Sequence, residues 1–248
     1  MHRIKLLIEY EGTNYVGWQR QKNGISIQNE IEKSLKKIFN EDITLSVAGR
    51  TDAGVHAFGQ VAHFDIKYLE IDEKRIFKAL NFYLKKIKNK ITILDSIKVD
   101  DKFHARFSAK KKIYLYKILN RNTKSFILEN KVWFVPFKIN IDKMINASKH
   151  FYGKHDFNAF RSVDCQAKNS IRTINNININ KINNVIDIRI EAPSFMHNQV
   201  RIMVGTLINV GKEIFRDSDI LDIIRSRKRE NAGPTAPSEG LYLEKVIY

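Results

Sequence analysis

Cysteine is all but missing from this chain: Cys165 is the only one. An intramolecular disulfide is therefore impossible and a multi-cysteine zinc site is excluded, which fits a reducing cytoplasm. Long hydrophobic runs are missing too, and none reaches membrane-spanning length. Met1-His2-Arg3-Ile4-Lys5 leads directly into a strand-like pattern, without the apolar stretch and small-residue cleavage site of a signal peptide, so a soluble cytosolic protein is expected. The histidines at 56, 63, 104, 150, 155 and 197 show no metal-binding spacing of the His-Glu-x-x-His kind, and none is assigned to a metal. No Walker A run and no Gly-x-Gly-x-x-Gly run occurs, so neither ATP nor a dinucleotide cofactor is expected.

Acidic residues are the last shortage. Only 27 Asp and Glu face 43 Lys and Arg, a formal charge of +16, and the pI near 9.8 lies in the range of nucleic-acid-binding domains. A polyanionic partner is the leading reading, and the alternative is a lysine-rich composition whose charge is merely solvated. The 10% aromatic content tilts against mere solvation. At 248 residues with 43% hydrophobic content, the chain can build one large or two small domains.

The pattern along the chain is α/β. Ile4–Tyr10 reads as a strand and Ser26–Phe39 as an amphipathic helix, with Ile27, Ile31, Leu35 and Ile38 on one face and Ser26 as N-cap. Strands follow at Ile43–Val47 and Gln60–Ile66, then a helix at Asp72–Leu84 and a strand at Ile91–Val99. This β-α-β-β-α-β order is that of a ferredoxin-like half. A second half opens with the strand Ile113–Leu119, and Lys131–Pro136 reads as another. Ile141–Phe151 is helical in pattern, Ile171–Ile179 and Val185–Glu191 form a hairpin around an asparagine-rich turn, Ser194–Val210 and Asp219–Arg227 are helices, and Leu241–Ile247 is a closing strand. The domains expected are 1–103 and 104–248, two similar α/β halves meeting along one mixed, mostly antiparallel sheet with a cleft for substrate.

Chemistry concentrates in Ala48-Gly49-Arg50-Thr51-Asp52-Ala53-Gly54-Val55-His56-Ala57. Glycines at 49 and 54 let Asp52 be presented at a tip, and Arg50 brings a guanidinium close by. A carboxylate beside a guanidinium suits a nucleophile or an ion-pair anchor better than a general acid. Composition alone allows an ordinary hairpin turn as well.

The same ten residues resemble the signature of the tRNA pseudouridine synthase A family, which carries a nucleophilic aspartate. Gly17-Trp18-Gln19-Arg20-Gln21, Phe103-His104-Ala105-Arg106-Phe107-Ser108-Ala109, Val200-Arg201-Ile202-Met203-Val204-Gly205 and the run from Ala232 through Leu243 resemble further blocks of that family, in its order. The resemblance implies the pseudouridine synthase fold, with two ferredoxin-like halves. It also implies isomerisation of uridine just 3′ of the tRNA anticodon, a homodimer, tRNA as partner and no cofactor.

Residue roles divide accordingly. By resemblance Asp52 is the nucleophile, and Arg50 occupies or stabilises the space left by the flipped uridine. Tyr114 follows the cations Lys110, Lys111 and Lys112. That run either holds phosphates beside a stacking ring or is solvated next to core tyrosines, and the resemblance assigns Tyr114 to the target base. Tyr116 stays undecided. Arg201 sits among Met196, Val200, Met203, Val204 and Leu207, where it either snorkels to solvent or, as the resemblance implies, orients Asp52. Leu241 reads as core, and the resemblance places it in the uracil pocket. Gln19 and Arg20, with Gln21 and Lys22, are RNA contacts or simply an exposed loop. Arg225, Arg227, Lys228 and Arg229 hold phosphates or complement a helix dipole. The rival readings are a non-catalytic RNA-binding module with two ferredoxin-like halves, and a synthase of the same family with other RNA targets.

Overall fold

Strand β1, His2–Tyr10, alternates as a half-covered strand should: Ile4, Leu6, Ile8 and Tyr10 are at most 3% exposed, while Glu9 faces solvent. The computed structural model describes residues 1–69, 71–86 and 89–248. In it the chain forms two units, Met1–Lys110 with Tyr242–Tyr248, and Lys111–Leu241. Each is mixed α/β, the class the sequence implies.

In the first unit, β1 leads to helix α1 (Ile27–Phe39), strand β2 (Ser46–Val47), strand β3 (His56–Ile66), helix α2 (Glu73–Lys86) and strand β4 (Ile91–Val99). Local chemistry sets α1: Ser26 Oγ accepts the Asn29 N–H at its start, Asn40 closes its end in the left-handed region, and Ile27, Ile31 and Leu35 are buried. The sheet runs β4-β1-β3, with β2 antiparallel on β3, the strand order of a ferredoxin-like unit. Strand β11 (Leu241–Ile247) joins this unit from Tyr242 onward, parallel to β3 through Tyr242–His56 and Leu243–Ala57. Strand β3 therefore starts at His56, ahead of the expected Gln60. The strand expected at 43–47 shrinks to Ser46–Val47, because the Leu45 N–H is given to the buried Glu32 Oε1 of α1 at 2.8 Å.

The block from Phe103 to Ser108 is fastened to this sheet. Arg3 makes a bidentate pair with Asp65, both contacts at 2.7 Å, and donates to the Asp101 and Phe103 carbonyls. Lys5 lies 5.7 Å from the rings of both Phe103 and Tyr248. The Ala105 N–H donates to His63 Nδ1 at 3.2 Å. Burial, with the Arg3 and His104 charges adding, pushes the His63 imidazole down to about 4, so it is neutral at neutral pH.

The second unit is built on strand β5 (Lys111–Leu119), which pairs antiparallel with β10 (Val185–Ala192); β10 pairs antiparallel with β9 (Asn176–Ile182). The two-residue β6 (Trp133–Phe134) lies parallel on β5, shorter than the strand expected at 131–136. Helix α3 (Ile141–Ser148) runs into a 3-10 turn through Phe151. The strand expected at 171–179 is divided at Asn175. Its first part, β8 (Ile171–Ile174), pairs with β7 (Gly153–Asp156) in a separate two-stranded sheet. Helix α4 covers Gln199–Gly211, starting five residues later than expected because Asn198 is left-handed at φ 60°. Helix α5 is Asp219–Ser226.

Candidate active site

The loop from Ala48 to Val55 begins where Ala48 N–H leaves the sheet, donating to Val61 O at 2.8 Å. Asp52 opens a turn closed by Val55 N–H on the Asp52 carbonyl at 3.2 Å. Gly54, third in that turn, has φ +78°, the value that a type II turn needs there and that glycine adopts without strain. Asp52 is half-buried and Arg50 is exposed, while Thr51 between them is 7% exposed.

Three parts of the first unit hold this loop. From below, Tyr10 Oη and Thr51 Oγ1 are 2.7 Å apart, and Gln60 Nε2 donates to Gly49 O at 2.8 Å and to Tyr10 Oη at 3.3 Å. Burial pushes the Tyr10 phenol up to about 12, so it remains a neutral hydroxyl. From the side, Trp18 N–H donates to Thr51 O at 3.0 Å. Gly17 passes so close, at φ +105°, that a Cβ would stand 2.6 Å from the Thr51 oxygen. At the far end, Gly12 N–H donates to His56 Nδ1 at 3.1 Å, and the His56 ring stacks on Tyr242 at 4.6 Å. The β1–β3 register slips between Ile8–Gln60 and Tyr10–Ala57, a bulge of the kind that re-aims side chains beside active sites.

Gly17 to Gln21 thus divides in two. Trp18 is 1% exposed and belongs with the loop's support. Gln19 and Arg20 are exposed, Arg20 lying 3.2 Å from the buried Glu32 carboxylate, and Gln21 Nε2 is turned back onto Val16 O at 3.0 Å. From sequence, Gly17 stands only as part of a block, and no site role falls to Tyr10, Gly17 or Gln60. The one signal for Gln60 is a fully buried amide in the middle of an otherwise apolar stretch of β3.

In the second unit, Tyr114 lies on β5 opposite Ile190, 8% exposed, with Phe195 edge-on at 5.2 Å. Tyr116 is a core residue: it is fully buried, its hydroxyl donates to Pro237 O at 2.7 Å, and burial raises its phenol well above the usual range. Arg201, on α4, donates from Nε to Ala236 O and from Nη1 to Asn198 Oδ1, both at 2.7 Å, while Ala236 N–H returns to Arg201 O at 3.2 Å. Thr206 Oγ1 accepts the Gly233 N–H at 2.9 Å. The terminal block is therefore laid along α4. Leu241, 6% exposed, follows a single 3-10 turn at Ser238–Gly240.

The basic runs are less free than their sequence suggests. Lys110 is exposed, but Lys111 pairs with Glu191 at 2.8 Å and Lys112 is half-buried on β5 opposite Ala192. Near the end of α5, Arg225 pairs with Asp222 at 3.4 Å and Arg227 with Asp156 at 3.0 Å, and Arg229 donates to Gly233 O at 3.0 Å and Thr235 Oγ1 at 3.1 Å. Arg229 is thus a clamp on the terminal block. Among the described residues no group of three His, Cys, Asp or Glu side chains is placed to hold a metal ion, and no helix is long and apolar enough to cross a membrane.

The Asp52 turn, the Gly17–Trp18 segment and the block laid along α4 all lie in segments that one family profile matches. The chain belongs to the tRNA pseudouridine synthase family, whose sequence profile matches residues 6–108 and 147–248. It is similar over its length to proteins named tRNA pseudouridine synthase A. That of Wolbachia pipientis wMel is 49% identical over 247 residues, and that of Ehrlichia chaffeensis 48% over 247. The protein of Anaplasma phagocytophilum is 46% identical over 248 residues. In all three cases 99% of this chain and 100% of the relative are covered.

Proposed function

We propose that this protein isomerises uridine to pseudouridine in the anticodon stem-loop of tRNA, just 3′ of the anticodon, acting as a cytoplasmic homodimer. The observation that carries the reading is the Asp52 turn, a carboxylate presented next to the doubly held Thr51 inside the matched family segment. The reaction breaks the N1–C1′ bond, turns the base and forms a C5–C1′ bond; the C5 proton leaves and N1 gains one. Atoms balance within the nucleoside, so no redox group or nucleotide is consumed. What the protein must supply is a nucleophile, a stacking surface, a proton path and shelter from water.

In this reading the segment 1–103 supplies Asp52 as nucleophile and Arg50 to the space the flipped uridine vacates. The segment 104–248 supplies Tyr114, which stacks on the base and relays the C5 proton, Arg201, which orients Asp52, and Leu241, which lines the uracil pocket. Gln19, Arg20 and Lys110–Lys112 contact the RNA backbone. Of these cations Lys110 contributes most, since Lys111 already has Glu191 as partner.

The test is to incubate purified protein with unmodified tRNA and map pseudouridine. It should appear at uridines just 3′ of the anticodon. Pseudouridine at other positions would move the target, and tRNA binding without any isomerisation would replace the reading with that of a binding module.

Tyr114 separates two roles. Phe keeps the stacking ring and removes the hydroxyl, so Tyr114→Phe should bind tRNA normally but release little C5 tritium from labelled uridine. Tyr114→Ala should in addition weaken base capture by about 1–3 kcal/mol. If Tyr114→Phe turns over like the wild type, the proton relay is withdrawn; if Tyr114→Ala does too, the residue has no part in the chemistry.

A further inference from the structure

Three buried polar side chains beneath the Asp52 turn have no step in the reaction as written. Gln60 is 0%, Tyr10 3% and Thr51 7% exposed. Their hydrogen bonds form one connected chain. An amide nitrogen only donates, so Gln60 Nε2 gives its hydrogens to Gly49 O and Tyr10 Oη, and the Tyr10 and Thr51 hydroxyls share one further hydrogen bond at 2.7 Å. The amide oxygen is engaged as well, accepting the Val61 N–H at 3.2 Å. This chain grips the loop at two points that bracket Arg50, the Gly49 carbonyl and the Thr51 hydroxyl. Thr51 is then fixed twice, since its carbonyl also accepts the Trp18 N–H.

A buried core does not need such a chain for stability alone. Replacing both members of a buried hydroxyl pair by apolar groups of the same shape can be nearly neutral, because no partner is left unsatisfied. What apolar groups cannot do is fix a backbone direction one residue from Asp52. We propose that Gln60, Tyr10 and Thr51 are positioning residues of the reaction, setting through the Gly49 carbonyl and the Thr51 hydroxyl the aim of the Asp52 carboxylate. The proposal rests on the reading of Asp52 as nucleophile.

The test compares single-turnover rate, tRNA affinity and thermal unfolding for Thr51→Val, Thr51→Ser and the double variant Tyr10→Phe/Thr51→Val. Displacement of a reacting group by about an ångström can cost on the order of 100-fold in rate. Thr51→Val and the double variant should therefore fall at least about 10-fold in rate, with tRNA affinity within about twofold of wild type because phosphate contacts carry it. The double variant should be little slower than Thr51→Val alone, since both changes cut the same link. Thr51→Ser keeps the hydroxyl and should recover most of the rate.

A Thr51→Val rate equal to that of Thr51→Ser overturns the proposal, and this comparison decides the matter even where the double variant fails to fold. So does a rate loss matched by an equal loss of tRNA affinity. Wild-type protein and Asp52→Asn are run alongside. An inactive wild type or an active Asp52→Asn removes the reading of Asp52 and this proposal with it. An inactive Asp52→Asn beside a fully active Thr51→Val removes only the positioning.

Discussion

Asp52→Asn protein should form no pseudouridine and still bind tRNA within about twofold of wild type. The amide has nearly the shape of the carboxylate, so the turn closed by Val55 N–H on the Asp52 carbonyl, a backbone contact, is untouched. What disappears is the anionic oxygen that, in the proposed reading, bonds to the substrate, and an amide oxygen is not an adequate nucleophile at neutral pH. Affinity is retained because phosphate contacts made by a chain of net charge +16 carry most of it. Measured turnover above about a thousandth of wild type would mean that Asp52 is not the nucleophile, since covalent catalysis is worth more than that factor when its nucleophile is removed.

Gly17→Ala should lower unfolding free energy by about 2–4 kcal/mol and turnover by about 100-fold. Two costs coincide at this position. A φ of +105° lies where residues with a Cβ are strained, and the added carbon would stand 2.6 Å from Thr51 O, closer than contact allows. The loop must give way or Gly17 must rotate. Either movement loosens the Trp18 N–H to Thr51 O bond and shifts the residue next to Asp52. Denaturant unfolding and single-turnover rate check both parts. An alanine variant with wild-type stability and rate would show that this approach is softer than its geometry implies.

Features set by neighbouring residues were legible in the sequence. Helix α1 was readable because its cap, Ser26, and its buried stripe, Ile27, Ile31 and Leu35, lie within one helix length. The Asp52 loop was readable because its turn glycine sits two residues from the aspartate. Features set by distant residues were not. The strand expected at 43–47 lost Leu45 to Glu32, thirteen positions earlier, a competition no local pattern records. Tyr10, Thr51 and Gln60 come from two strands and a loop, and only the bulge in the β1–β3 register brings their polar ends together. Alternation marks Tyr10 and Gln60 as inward-facing without telling which inward polar groups meet, and no alternation covers Thr51 in its loop. The left-handed Asn198 that delays α4 is similarly invisible, since asparagine takes that conformation only where its surroundings call for it.

The placement of β11 carries a consequence for biosynthesis. During translation β3 and the Asp52 loop leave the ribosome early, yet the His56–Ala57 end of β3 pairs with Tyr242 and Leu243, and the ring of His56 stacks on Tyr242. A growing chain can lay down β1, α1, β3, α2 and β4 by local folding, but it cannot seat the loop's downstream anchor until nearly all of its residues have been made. Pairings so distant in sequence form late and slowly. The nascent protein therefore carries most of its positive charge well before the downstream anchor of the Asp52 loop is seated.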